Sequence, residues 1–351
     1  MKRLMNLPDL LLTDSSPVAK YQRRKDQKKK ALHWGQRKLL LSEIEFFSLY
    51  WNQQEIETPI CVYAGAAEGL HINILVQLFP AIRFELYDPR RFAIKETNRV
   101  KIHREYFTNE IARSYAHRND VFFISDIRTT NYNEILDQAM KEYGIVEKDE
   151  SNDPIGPPDL VTKVKTRVTS LINEGVMNDM RKQAEWVKIL NPVHALLKFR
   201  PRWPIMDQPD SHYDQYLAGD IYLQPWAPAT STETRLKPIR NSEGNYYEIQ
   251  WDNIKYEGQC YYHNSVRREN YYPNIYCDDP ELLDDYDSAA EGKILEIYLS
   301  QFSLPHNKIE DAVRKLSREI TQSLNSFFHS NGLSLAQRRS QTRITSYKRA
   351  S

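Results

Sequence analysis

The sequence predicts an α/β fold in which a doubly wound, mostly parallel sheet is flanked by helices. Short apolar runs that end on polar residues recur along the chain, helical apolar stripes fall between them, and the first run enters a glycine turn that opens a helix. From Gln36 to Trp51, Leu39, Leu40, Ile44, Phe47 and Trp51 recur at helical spacing and predict an amphipathic helix entering the core. Pro59-Ile-Cys-Val-Tyr-Ala64 reads as a short buried strand, Gly65-Ala-Ala-Glu-Gly69 as the turn, and Ile72, Leu75, Leu78 and Phe79 as the next helical stripe. A second strand, Arg83 to Tyr87, ends on Asp88, and the run Val121 to Ile124 ends on Ser125-Asp126. Val176, Met180, Ala184 and Val187 mark another helix, Ala195 to Phe199 a strand carrying Lys198, and Ile221 to Leu223 a strand ahead of a Gln-Pro-Trp-Ala-Pro turn. Ile309, Val313, Leu316, Ile320, Leu324 and Phe327 predict a C-terminal helix closed by Asn331-Gly332. Ligands of such sheets bind beyond the carboxyl ends of the strands, where these polar residues fall.

With 351 residues, 40% hydrophobic and 27% charged, the chain can bury a large core. The expected organisation is a basic arm over 1–33, one domain over 34–305, and a C-terminal helix with a basic tail over 306–351. Lys20 to Lys30 carries seven basic residues against one acidic, which favours a solvated arm able to attract phosphates or simply to keep the chain soluble. Residues 141–159 are acidic and proline-rich without periodicity and predict an inserted loop; Asp278 to Asp287 is expected to be exposed. A net charge of +1 gives no global signal for a polyanionic partner. Three cysteines, Cys61, Cys260 and Cys277, are too few and too scattered for a disulfide framework or a zinc site, so no metal is expected. Without an apolar stretch of about 18 residues, no membrane association is expected.

The glycine turn alone is permissive chemistry. Gly65 and Gly69 allow a tight turn and close backbone approach, but the spacing is not the G-x-G-x-x-G of pyrophosphate binding. Asp88, 19 residues after Gly69, can accept both hydroxyls of an adenosine ribose or cap the following helix. A nicotinamide-dependent dehydrogenase shares both features, yet gives Lys198 and Trp203 no role. Taken singly, Lys38 reads as an exposed helical residue, Asp126 as a cap, and Lys198 with Glu233 as a surface ion pair.

Six further segments stand out along the chain: Gly35-Gln-Arg-Lys38-Leu-Leu-Leu-Ser-Glu43, Val62-Tyr-Ala-Gly65-Ala-Ala-Glu-Gly69-Leu-His71, Ile124-Ser-Asp126-Ile-Arg128, Ile189-Leu-Asn-Pro-Val193, Leu197-Lys198-Phe-Arg200 and Leu223-Gln-Pro-Trp-Ala-Pro228. Their order resembles that of the poxvirus cap-specific 2′-O-methyltransferases, which also serve as the small subunit of poly(A) polymerase. Glu233-Thr-Arg235-Leu and Tyr256-Glu257 continue the likeness, which spans about Tyr21 to Ser300. The sequence thus resembles that family, which implies a Rossmann-like class I methyltransferase fold, S-adenosylmethionine as cofactor and m7G-capped mRNA as substrate. It also implies a poly(A) polymerase catalytic subunit as partner, and a place in the host cytoplasm and the virion.

The resemblance further implies a catalytic tetrad of Lys38, Asp126, Lys198 and Glu233, with Lys198 as the base. The chemistry is coherent: a ribose 2′-hydroxyl must be aligned with a sulfonium methyl and lose its proton, and a lysine among other cations, steadied by carboxylates, is suited to receive it. Cofactor contacts carry over to Gln36, Tyr63, Gly65, Gly69, Asp88 and Arg90, with Phe107 through its backbone. Glu68 stands where the family usually has proline, and His71 also matches, as a packing or capping residue. For the cap, Trp203 takes the place of a stacking phenylalanine and Glu257 that of an acidic partner, with Asp207 as the second acid and Tyr21 as the second aromatic face. Arg200 and Arg235, inside these motifs, are expected to contact cap or RNA.

Overall fold

The computed structural model describes residues 9–22, 32–149, 152–205, 207–228, 230–268 and 286–329. The chain opens with a two-residue strand β1 (Leu11–Leu12), then the long helix α1 (Leu32–Tyr50), whose Leu40, Leu41, Ile44 and Phe47 are fully buried. Next come β2 (Ile60–Ala64), α2 (Ile72–Leu78), β3 (Arg83–Tyr87), β4 (Val100–His103), α3 (Asn109–Ser114), β5 (Val121–Ser125) and α4 (Tyr132–Glu142). A hairpin of β6 (Glu147–Lys148) and β7 (Pro154–Ile155) leads into α5 (Pro158–Leu190), which starts with proline in its first turn and ends on Asn191 in the left-handed region. Then follow β8 (His194–Phe199), β9 (Tyr213–Leu217), β10 (Gly219–Tyr222), β11 (Thr234–Pro238), β12 (Glu248–Asp252), α6 (Asn253–Tyr262), α7 (Tyr286–Leu299) and α8 (His306–His329).

Eight strands form one sheet in the order β1-β10-β11-β8-β5-β2-β3-β4. β4, β3, β2, β5 and β8 run parallel, while β11, β10 and β1 follow in antiparallel pairings. This is the expected α/β, Rossmann-like, mostly parallel sheet. All five residues of β2 and of β5 are buried, as strands covered on both faces must be. The two cores divide along the strand pleat: Cys61 and Tyr63 face the α1, α2, α7 and α8 side, whereas Ile60, Val62 and Ala64 face the α3, α4 and α5 side. The order reverses at β2, whose neighbours are β3 and β5, which places a ligand crevice between the loops leaving β2 and β5.

Three sequence expectations change. The segment 141–159 is not simply a loop: α4 runs to Glu142, α5 begins at Pro158, and Glu147 pairs with Ile155 between them. Asp287 is buried in the first turn of α7, where it accepts from Arg268 at 2.5 Å, because a cation was available to pair with it. Residues ahead of position 33 also join the body: Leu11 pairs with Tyr222 on the sheet edge, and the Ala19 amide donates to the Gly258 carbonyl of α6. Asp278 to residue 285, most of Lys20 to Lys30, and Asn331-Gly332 lie outside the described residues.

Candidate active site

The crevice is built on glycine. Gly65 leaves β2 at φ +80°, and a Cβ there would lie 2.9 Å from the carbonyl carbon of Asp126 and the nitrogen of Ile127, so only glycine lets the β2 and β5 turns touch. The Gly65 amide donates to Tyr87 at the end of β3, and the Asp126 amide to Ala64 at the end of β2, which stitches three strand ends together. Gly69 closes the turn at φ +73°; Glu68 between them follows a cis peptide.

Asp88 follows β3 directly and is 4% exposed. Its carboxylate accepts from the Ala67 amide at 3.2 Å and from the Arg90 amide, Nε and Nη2 at 2.9 to 3.0 Å. Arg90 also donates to the Ala67 carbonyl, so Asp88 and Arg90 brace the glycine turn. On α1, the Gln36 side-chain oxygen accepts from the His71 amide at 3.3 Å and faces its Nδ1 at 2.8 Å, which leaves the Gln36 amide nitrogen as a donor. Tyr63 is buried, its hydroxyl donating to Glu43 at 2.7 Å; Glu43 also meets His71 Nε2 at 3.2 Å. The Phe107 ring belongs to the core, edge-on to Tyr87 and Trp186, so both it and Tyr63 offer a ligand their main chain rather than their side chain. A carboxylate at the end of β3 beside a glycine turn, with an amide donor opposite, suits an adenosine carrying a charged tail.

Next to this turn four ionisable side chains converge from four elements. Lys38 Nζ on α1 donates to Glu233 Oε1 at 3.0 Å. Lys198 Nζ on β8 lies 3.3 Å from Asp126 and 3.5 Å from Glu233. Glu233 sits just before β11, whose register pairs Arg235 with Lys198 and Thr234 with Phe199. All four side chains are between 12% and 19% exposed, enough to meet a substrate and too little for water to screen them fully.

Arg235 and Arg128 complete the cluster. Arg235, 1% exposed, donates to Asp126 Oδ1 at 2.6 Å; Arg128 lies 3.5 Å from Glu233 and 3.9 Å from the buried Asp179. Burial pushes the Asp126 carboxyl up, but Arg235, Lys198 and Lys38 outweigh it and hold the group below the usual carboxylate range. Burial acts likewise on Glu233, and Lys38, Lys198, Arg128 and Arg235 carry it well below that range. Both carboxylates are therefore ionised at neutral pH. Helix α5 is the floor of the site: Asp179 accepts from Thr129, and Gln183 donates to the Lys198 carbonyl at 3.1 Å.

Beyond β8 the chain presents Trp203, pinned by Asn173 at both its amide and its carbonyl and by Thr232 at its indole nitrogen. The Arg200 guanidinium covers one face of the indole, 4.0 Å from the ring centroid. Arg200 is 5% exposed, and its two terminal nitrogens have no hydrogen-bond partner; burial and nearby Arg128 lower it to about 9. Glu257 on α6 is half-buried; burial raises its carboxyl, and Arg200 opposes that shift. Tyr21 packs edge-on against Tyr261 of the same helix at 5.5 Å.

Residues 4–145 and 160–326 match the sequence profile of a family described as poly A polymerase regulatory subunit. The chain belongs to this family. It is 28% identical over 291 residues to the cap-specific mRNA (nucleoside-2′-O-)-methyltransferase of Myxoma virus (strain Lausanne), covering 80% of this chain and 74% of that one. The protein of the same name from Fowlpox virus (strain NVSL) is 26% identical over 254 residues, covering 67% and 68%.

Among the residues anticipated from sequence, Lys38, Asp126, Lys198 and Glu233 meet at one point, and Gly65, Gly69, Asp88, Arg90 and Gln36 gather at the adjoining turn. Trp203, Arg200 and Glu257 form a neighbouring group. Arg235 is placed differently from expectation: it is buried behind Asp126 and steadies that carboxylate instead of facing RNA. Asp207 sits exposed in the turn closed by the Ile205–Gln208 bridge, and among the described residues it makes no hydrogen bond to Trp203. Sequence reasoning passed over Arg128, although it stood inside a quoted motif, and Asp179, which nothing in a helical stripe distinguishes.

Proposed function

We propose that this chain transfers a methyl group from S-adenosylmethionine to the ribose 2′-hydroxyl of the first transcribed nucleotide of m7G-capped RNA. The observation that carries it is the meeting of Lys38, Asp126, Lys198 and Glu233 at 3.0 to 3.5 Å beside the Gly65 turn, in a chain similar to proteins named for that reaction. S-adenosylmethionine, when bound, supplies an electrophilic methyl. Asp88 would hold its ribose hydroxyls, the Gln36 amide its charged tail, and the main chain at Tyr63, Gly65, Gly69 and Phe107 the remainder.

In this reading Lys198 takes the proton from the 2′-hydroxyl. Asp126 and Glu233, fixed by Arg235 and Arg128, hold the two lysines in place. Lys38 and the arginines offset the negative charge that grows on the ribose oxygen as its proton leaves. Trp203 stacks the 7-methylguanine on the face opposite Arg200, and Glu257 accepts from the base edge, with Tyr21 as the second aromatic face. Arg200, a buried cation with idle donors, is suited to the phosphates of the cap.

Capped RNA with an unmethylated first nucleotide should gain label from radioactive S-adenosylmethionine at the ribose, and uncapped RNA should not. Lys198→Ala should abolish transfer while calorimetry still shows cofactor binding; persistent turnover would remove Lys198 as the base. The family's description supports a second role, as regulatory partner of a poly(A) polymerase. Co-purification of the two chains, and longer tails in their joint presence, test it.

A further inference from the structure

A cavity of about 610 Å³ lies at the opposite end of the sheet from the site above, where the loops entering β5 and β8 meet the loop leaving β11. Five to six strand residues, roughly 15–20 Å, separate it from Asp126 and Lys198. Arg118, Lys188 and Arg240 line it together with Tyr246, and among the described residues no carboxylate does. A second cavity, about 450 Å³, shares Lys188 but carries Glu185, Asp214 and Glu248, and so does not select an anion.

The wall of the first cavity is built in advance of any ligand. The Arg240 guanidinium lies 4.2 Å from the Tyr246 ring centroid and donates to Asn191 Oδ1, the Gly244 carbonyl and the Pro192 carbonyl at 2.6 to 2.7 Å. Three of its five N–H groups are thereby used on main-chain and side-chain oxygens, and none of these partners is a carboxylate. Tyr246 donates to the Pro192 carbonyl at 3.0 Å, which locks the stacked pair. Arg118 and Lys188 are exposed; Arg118 donates through Nε and Nη2 to Asp120, and Lys188 pairs with Glu248, so each is a solvent-screened cation that a phosphate can also reach. Asn119, Asn191 and Asn245 also line the space; a side-chain amide can both donate to and accept from a base edge, and the Asn191 oxygen already accepts from Arg240.

Stacked planar cation, amides and exposed cations are what a nucleotide within a single strand requires. We infer that this cavity is a second RNA contact, which takes an internal nucleotide of single-stranded RNA away from the capped end. The inference rests on the reading of the chain as an RNA-acting protein, but its test needs neither a cap nor methyl transfer.

The probe is an uncapped, fluorescein-labelled twelve-nucleotide oligoadenylate, titrated by anisotropy at several salt concentrations against the full chain and the variant Arg118→Ala/Lys188→Ala. Both substitutions are at the surface and outside the methyl-transfer site, so transfer to a short capped trinucleotide should be unchanged. Loss of two phosphate contacts should weaken oligoadenylate binding by about tenfold and reduce the slope of log affinity against log salt by about 1.4. With 4-thiouridine placed internally in the strand, photocrosslinks should fall on peptides containing residues 117–119 or 240–246. Unchanged affinity and slope in the double variant, crosslinks confined to the methyl-transfer crevice, or equal affinity for free AMP would each overturn the inference. Failure of cap methylation with these binding results intact would overturn the proposed function and leave this one standing.

Discussion

Replacing Gly65 by alanine separates two costs that usually arrive together. Gly65 and Gly244 have nearly the same backbone angle, φ +80° and +81°, but a Cβ at Gly244 would meet nothing within 4 Å, whereas at Gly65 it would stand 2.9 Å from the backbone of Asp126 and Ile127. Gly244→Ala should therefore show left-handed strain alone, ~1–2 kcal/mol before the stiffer unfolded chain returns about 0.4–1. Gly65→Ala adds overpacking against backbone, about 1–3 kcal/mol more, for a net total of about 1–5. The contact falls short of ordinary van der Waals distance by about half an ångström, and relief comes by moving the turn that bears Asp126. A shift of that size in a positioned carboxylate should lower turnover tenfold or more. Urea unfolding of both variants, with methyl-transfer rates and calorimetric binding of the cofactor product, gives the comparison. Equal destabilisation of the two, or an unaltered rate in Gly65→Ala, would refute the view that glycine is there for close approach.

Three further outcomes follow from the buried charges. Because the folded-state Glu233 carboxyl is held well below its ordinary value, its ionised form stabilises the protein fully above about pH 4.5, and this is lost as pH falls through the lowered value. The stability gap between wild type and Glu233→Gln should be constant near neutrality and shrink in acid, as read from urea midpoints. Glu45 has the opposite sign: burial pushes its carboxyl up to about 8, so the protein should lose stability as pH rises from about 4.5 toward that value. Glu45→Gln should flatten that decline, and a wild-type midpoint independent of pH between 5 and 9 would contradict it. Arg37 grips the fully buried Glu291 through Nε at 2.7 Å and Nη2 at 2.5 Å, and Trp226 donates to the same carboxylate. Arg37→Ala, which strands that charge, should cost about 3–5 kcal/mol in equilibrium unfolding.

Much of the central sheet was legible because its strands are buried on both faces and short, so apolar runs such as Ile60 to Ala64 and Val121 to Ile124 stand out from the helical stripes around them. β4, β9, β11 and β12 were not anticipated. Each alternates or carries charge, as in Val100-Lys-Ile-His103 and Thr234-Arg-Leu-Lys-Pro238, and is recognised as a strand only beside its partner. The 33-residue α5 was seen only around its most regular stripe, because its buried Asn173, Asp179 and Gln183 break the apolar period in order to serve the site.

Local sequence by itself determined the elements that periodicity and glycine chemistry specify: α1, the β2 turn, and acidic residues at strand ends. Its motifs also named the four residues of the ionisable cluster. Only the tertiary structure decided what those residues are to one another. Lys38 and Glu233 are 195 positions apart yet 3.0 Å distant, and Arg235 turned from an expected RNA contact into the buried partner of Asp126. The reason is physical: an ionised side chain takes its role from the charges and water around it, and these are set by strand order and register, which no segment contains alone.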